Sequence, residues 1–202
     1  MANFGEKELL DKAIGGWRGL IDSGLPASLF VLVFVLQRDL ENALLVAIVV
    51  GIILLAIRLF ERKSLLQVFG GFVGLLISAY FTWRTKEASN FFLIGLLTNA
   101  IYAIALVVSL AIKKPLLGYV VSSLVNDGNS WLKEPLLRRA YTTITWFWVG
   151  VFSLRLIIQV PLYLAENVAA LGTFKIVMGW PLYLFAVWLT YRVVQTARKN
   201  IN

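Results

Sequence analysis

The chain has 202 residues, of which 59% are apolar and 15% charged, with a mean hydropathy of +0.80; soluble domains average about 45–50% apolar residues, so a single water-soluble core is excluded and several membrane spans are expected. The formal charge of +8 does not indicate nucleic acid, because the basic residues sit in short clusters between apolar runs rather than along one polar face. Cys and His are both absent, which removes disulfides, thiol nucleophiles, imidazole bases and the usual zinc, copper and haem ligands, so no metal or cofactor is expected.

The first residues, "MANFGEKELLDKAIGGWRGLIDSG", carry Glu6, Glu8 and Asp11 and lack a small-residue cleavage site after an apolar core. They make a poor secretory signal, and the first span is expected to act as an uncleaved anchor. Residues 6–21 show a weak amphipathic stripe of Leu10, Ile14, Trp17 and Ile21, interrupted by Gly15 and Gly16.

A helix needs roughly 20 apolar residues to cross a hydrocarbon core about 30 Å thick. On that measure the pattern predicts an all-α polytopic membrane helical bundle, one integral-membrane domain over residues 1–202, with six spans near 20–36, 43–60, 65–83, 90–112, 140–164 and 172–192. Ser23 is the expected cap of the first span, with Pro26 in its first turn. In the third, "GGFVGLLIS" sets Gly70, Gly74 and Ser78 on one stripe. Small residues at that spacing let helices approach closely in lipid, either within the bundle or across a homo-oligomer face.

Between the fourth and fifth spans, "KKPLLGYVVSSLVNDGNSWLKEPLLRRAY" sets Leu117, Val120, Val121 and Leu124 at helical spacing. Basic clusters at both ends suit an amphipathic interfacial helix on anionic cytoplasmic lipid; packing on the bundle is the alternative. "NDGNS" is a turn signal. The short echoes "KKPLL"/"KEPLL" and "PLYL"/"PLYL" are too brief to make a repeat.

Lys and Arg in short loops are retained in the cytoplasm. With six spans, Lys7, Lys12, Arg18, Arg58, Arg62, Lys63, Lys113, Lys114, Lys133, Arg138, Arg139, Arg192, Arg198 and Lys199 fall on one side, against Arg38, Arg84, Lys86 and Lys175 on the other. Both termini are therefore expected to be cytoplasmic. Trp83, Trp131, Trp146, Trp148, Tyr163, Trp180 and Tyr191 cluster near span ends, as in an aromatic belt.

All acidic residues fall in loops or at span ends. This weighs against proton-coupled transport and leaves no carboxylate pair for acid–base catalysis, so a non-enzymatic protein is expected. The conspicuous intramembrane residues are Arg155 and Gln159, one helical turn apart in "FSLRLIIQVPLYL". Arg155 lies about 14 Å of helix from Leu164, and Asn99 lies at the same remove from Asn90 in the fourth span, so Asn99, Arg155 and Gln159 form a candidate polar cluster. Arg155 has three readings: a contact with Asn99, snorkelling toward the outer headgroups, or the lining of an anion-selective cavity.

The order of "LPASLFVLVFVL", "FERKSLLQVFGGFVGLL", "LVVSLAIKKPLLGYVV" and "GTFKIVMGWPLYLFAVWLTYRVV" is similar to the intracellular septation protein A family of small bacterial inner-membrane proteins. "KKPLL" (Lys113 to Leu117) and "FKIVMG" (Phe174 to Gly179) are the best matches. "VNDGNSWLKEPLLRRAYTTITWFWVGVFSLR" resembles instead a related group of actinobacterial membrane proteins with a domain of unknown function. The resemblance implies a multi-pass plasma-membrane protein of the cell envelope, linked to septation, with division and envelope-synthesis proteins as partners. It supplies no catalytic residues. The chain departs from that family in Arg155 and in its longer basic loop, and carries Gln159 where the family tends to have Asn.

Overall fold

The computed structural model describes the backbone of residues 16–60, 65–124, 128 and 130–201. In chain order these form α1 (Gly16–Gln37), α2 (Leu40–Phe60), α3 (Leu65–Thr85), a 3-10 turn (Ala88–Phe92), α4 (Leu93–Ala111), α5 (Leu116–Leu124), a second 3-10 turn (Ser130–Leu132), α6 (Pro135–Leu164), α7 (Val168–Val177) and α8 (Trp180–Lys199). No strand occurs among the described residues. The stripe over residues 6–21 lies largely outside them, as does most of "NDGNS", although Gly128 adopts the left-handed φ of +60° that such a turn requires.

Four stretches are long and apolar enough to cross a membrane: Leu40–Ile57, Ala88–Ala111, Pro135–Leu164 and Val168–Lys199. They correspond to the second, fourth, fifth and sixth expected spans. The first falls on α1, whose apolar part Gly24–Gln37 is shorter; the third falls on α3, whose opening side chains and the surroundings of Gly70 lie outside the described residues. Apolar side chains cover the outsides of these helices, with Ile104 63% and Ile157 68% exposed. Apolar surface on that scale is costly in water and natural in lipid, and it marks the chain as a membrane protein.

Three boundaries differ from the sequence reading. Helix α1 runs through Pro26 instead of starting at Ser23. Helix α6 begins at Pro135, ahead of the expected 140, since proline suits a first helical turn where its missing N–H has no partner to lose. The last span is interrupted at Met178–Gly179 between α7 and α8: Pro181 lacks an N–H and its ring clashes with the carbonyl four residues back, that of Val177, where α7 ends.

By contacts the chain forms two compact units. The N-terminal unit comprises Arg18–Leu97 and Ile157–Val177; the C-terminal unit comprises, of the described residues, Thr98–Leu156 and Met178 onward. The N-terminal unit is built around Phe30, Phe91, Phe92 and Leu171, with Ala27, Ala43, Ala47 and Ala79 letting helices close on one another. Phe30 stacks on Phe91 at 4.0 Å between ring centroids. Gly172 of α7 meets α1 so closely that a Cβ there would lie 2.5 Å from Val31 Cγ2. Polar links close this unit: Tyr163 O–H donates to Asn90 Oδ1, and Asn90 Nδ2 donates to Thr85 Oγ1 at 2.8 Å.

The C-terminal unit has two apolar clusters, one of Trp131, Leu137, Tyr141, Ile144 and Val194, the other of Ala103, Leu106, Val149 and Phe152. Helix α5 packs Leu117, Tyr119 and Val121 on the first cluster, while Leu116 and Val120 stay exposed. One face of α5 therefore packs on its own unit. Trp131 is fully buried, edge-on to Tyr119 and Tyr141, so it is a core residue rather than part of a belt. Gly118 makes that possible, since a Cβ there would lie 2.5 Å from the indole. Trp83 and Trp146 remain exposed, as a belt requires.

Candidate functional site

The candidate site lies on the inward face of α6. Trp148, Phe152 and Arg155 recur at spacings of four and three, which puts them on one side of a helix, and that side turns inward: Phe152 and Arg155 are both buried. Tyr183 of α8 and Tyr102 of α4 complete the surroundings. Tyr102 lies 5.4 Å from Phe152, and the Trp148 ring stacks on Tyr183 at 5.9 Å. Trp148 Nε1 donates to Thr190 Oγ1 at 3.0 Å, bonding α6 to α8, and the Thr190 hydroxyl donates in turn to the Ala186 carbonyl at 2.8 Å.

Into this aromatic wall projects Arg155, 7% exposed, with its guanidinium carbon 4.9 Å from the centre of the Tyr183 ring. A desolvated cation over an aromatic face gains about 2 kcal/mol. That offsets only part of the several kcal/mol needed to take a charge out of water. No carboxylate pairs with Arg155 among the described residues, and its Nε and Nη1 have no hydrogen-bond acceptor.

Asn99, at 5%, is buried in the same unit on α4. No hydrogen bond joins it to Arg155 among the described residues; the guanidinium rests on Tyr183 instead. Gln159, at 4%, is one turn further along α6 and also buried, with Nε2 unpartnered. It belongs to the N-terminal unit, because the division falls after Leu156. Of the small-residue stripe, Ser78 is buried, while a Cβ added at Gly74 meets nothing within 4 Å among the described residues.

The residues that sequence reading overlooked are Tyr183, Tyr102 and Thr190. A signal for Tyr183 existed: it lies in the first turn after the Met178–Gly179 break, where a polar aromatic is a natural neighbour for a buried cation. Tyr102 and Thr190 carried none, because their roles depend on how separate helices are rotated against α6.

No curated protein and no solved structure matches the chain. Residues 14–201 match the family described as protein of unknown function (DUF3159). Of the two resemblances drawn from sequence, it is the one to a domain of unknown function that this match supports. The match covers nearly the whole chain, and the protein belongs to the DUF3159 family.

Proposed function

We propose that this is a non-enzymatic, multi-pass protein of the bacterial plasma membrane that acts in the cell envelope by contact with division and envelope-synthesis proteins. The observation that carries this reading is the use of polar side chains inside apolar helices. Trp148 with Thr190 joins α6 to α8, and Tyr163 with Asn90 joins the end of α6 to the 3-10 turn ahead of α4, each within one unit, as in a structural bundle. The similarity of "KKPLL" and "FKIVMG" to septation protein A supports the cellular setting. Six spans with both termini cytoplasmic follow from the distribution of Lys and Arg. The exposed residues Leu116 and Val120, beside Lys113 and Lys114, suit contact with anionic lipid on that side.

A second reading is a small-solute channel or transporter with a polar route at Asn99 and Arg155, Gln159 lying further along α6. The unpartnered donors of Arg155 and Gln159 favour it. A deletion strain scored for septum morphology and osmotic sensitivity, complemented by wild type or Arg155→Ala, tests both. Septal defects rescued equally by the two forms are expected on the first reading. Normal septa in the deletion strain would remove it, and an osmotic or uptake defect rescued only by wild type would favour the second.

A further inference from the structure

The segment "KKPLL", Lys113 to Leu117, joins α4 to α5 within the C-terminal unit, and its backbone is tied down along its length. Lys113 N–H donates to the Leu110 carbonyl and Lys114 N–H to the Ser109 carbonyl, both at 2.9 Å. The buried Ser109 hydroxyl accepts from Leu116 N–H at 3.1 Å and donates to the Leu106 carbonyl at 2.7 Å, while Pro115 is fully buried. The turn therefore holds two neighbouring lysines in place, both exposed. Helix α6 brings a third cation to them: Arg138 Nη2 donates to the Lys113 carbonyl at 3.4 Å. None of the three pairs with a carboxylate among the described residues. Glu134, one turn before Arg138, meets it through the backbone, its carbonyl accepting the Arg138 N–H. Like charges gathered in this way repel one another, and an anion lying between them would turn that repulsion into attraction.

Apolar surface runs up to the same corner. Ile104, Val108 and Ile112, four residues apart along α4, are all exposed and form one stripe that ends at Lys113. Leu116 is exposed on the other side of the lysine pair. An anion with long hydrocarbon chains fits both halves of this surface, whereas a nucleic acid or a free anion would leave the stripe unused.

We propose that Lys113, Lys114 and Arg138 form a discrete headgroup site for an anionic phospholipid, whose acyl chains lie along Ile104, Val108 and Ile112. The phosphodiester accepts charge-assisted hydrogen bonds from the guanidinium and the two ammonium groups. Because the turn is already bonded into shape, little ordering is left to the moment of binding. The site rests on the lipid contact in the reading above and deepens it from general attraction to an anionic surface into a saturable position. Its charge is carried by three named side chains.

The test uses the purified full-length protein in nanodiscs of neutral phosphatidylcholine, with phosphatidylglycerol replacing increasing fractions of the lipid. The thermal unfolding midpoint, which a ligand of the native state raises, is followed at each composition, and native mass spectrometry counts the phosphatidylglycerol retained by each chain. A saturable rise is expected, with phosphatidylglycerol retained by the wild type. Half-saturation should weaken by about tenfold in Arg138→Gln, as for loss of a charge-assisted pair, and should not change in Arg84→Gln, which alters an exposed arginine of the N-terminal unit. Equal weakening in Arg84→Gln and Arg138→Gln, or none in Arg138→Gln, overturns the discrete site and leaves the general lipid contact standing. No response of the wild type to phosphatidylglycerol overturns both. Sodium phosphate acting as well as the lipid would make the occupant a free anion, and a dimer lost in Arg138→Gln without retained lipid would make it a second copy; either result overturns the proposal. If Arg138→Gln yields no folded protein, Lys114→Gln carries the test, because it leaves the bond from Arg138 to Lys113 in place: weakened binding upholds the site and unchanged binding overturns it.

Discussion

Arg155 shows how far a single residue can be read. Its peculiarity was legible at once, since a cation in the middle of "FSLRLIIQVPLYL" has no precedent elsewhere in the apolar runs. Its neighbour was not, because depth along two helices does not determine which faces meet. Glycines make the same point. The spacing of Gly70, Gly74 and Ser78 suggested close packing, yet the tight approach lies at Gly172, against Val31. Gly172→Ala is expected to lower stability by about 1–3 kcal/mol through overpacking. Gly74→Ala, with open space at its Cβ, is expected to be neutral or to stabilise by up to about 1 kcal/mol through helix propensity. Thermal unfolding in detergent measures both. A fall in stability for Gly74→Ala, accompanied by loss of a crosslinked dimer, would show that this face is used between copies.

At the scale of elements, helix ends follow a common device. Helices α1, α3, α4 and α6 are each followed by a non-glycine residue in the left-handed region: Arg38, Lys86, Lys113 and Glu166, with φ of 55°, 61°, 58° and 52°. The ends of α4 and α6 close with paired backbone bonds, Lys114 N–H to Ser109 at 2.9 Å and Asn167 N–H to Leu162 at 3.0 Å, the arrangement that usually favours glycine. Lys113→Gly and Glu166→Gly are therefore expected each to stabilise by about 1 kcal/mol, the steric cost of a left-handed L-residue, and to raise the unfolding midpoint; a lowered midpoint would mean that these side chains are needed. Helix interiors were legible as apolar runs, whereas these ends were not, because Lys and Glu give no left-handed signal. The interruption of the last span had a visible cause in Pro181, but proline is tolerated in a first turn, and only the backbone shows that a new helix begins there.

For the whole molecule, the absence of cysteine makes topology directly measurable. Single cysteines replacing Lys86 or Lys175 are expected to react with a membrane-impermeant maleimide in intact cells, while those replacing Lys113 or Lys199 react only after permeabilisation. Labelling of Lys113 and Lys86 positions from the same side would rule out the six-span arrangement. Composition and charge spacing by themselves determined that the chain is helical, embedded in lipid and marked by a cation, Arg155, inside an apolar run, because burial in hydrocarbon requires long apolar helices with internally bonded backbones. Only the tertiary structure decided that α5 packs Tyr119 and Val121 on its own unit, that Trp131 is core, and that Arg155 is buried against the Tyr183 ring. Those contacts join residues distant in sequence, and they depend on the relative rotation of packed helices, which apolar periodicity constrains weakly when the outer face is as apolar as the inner one.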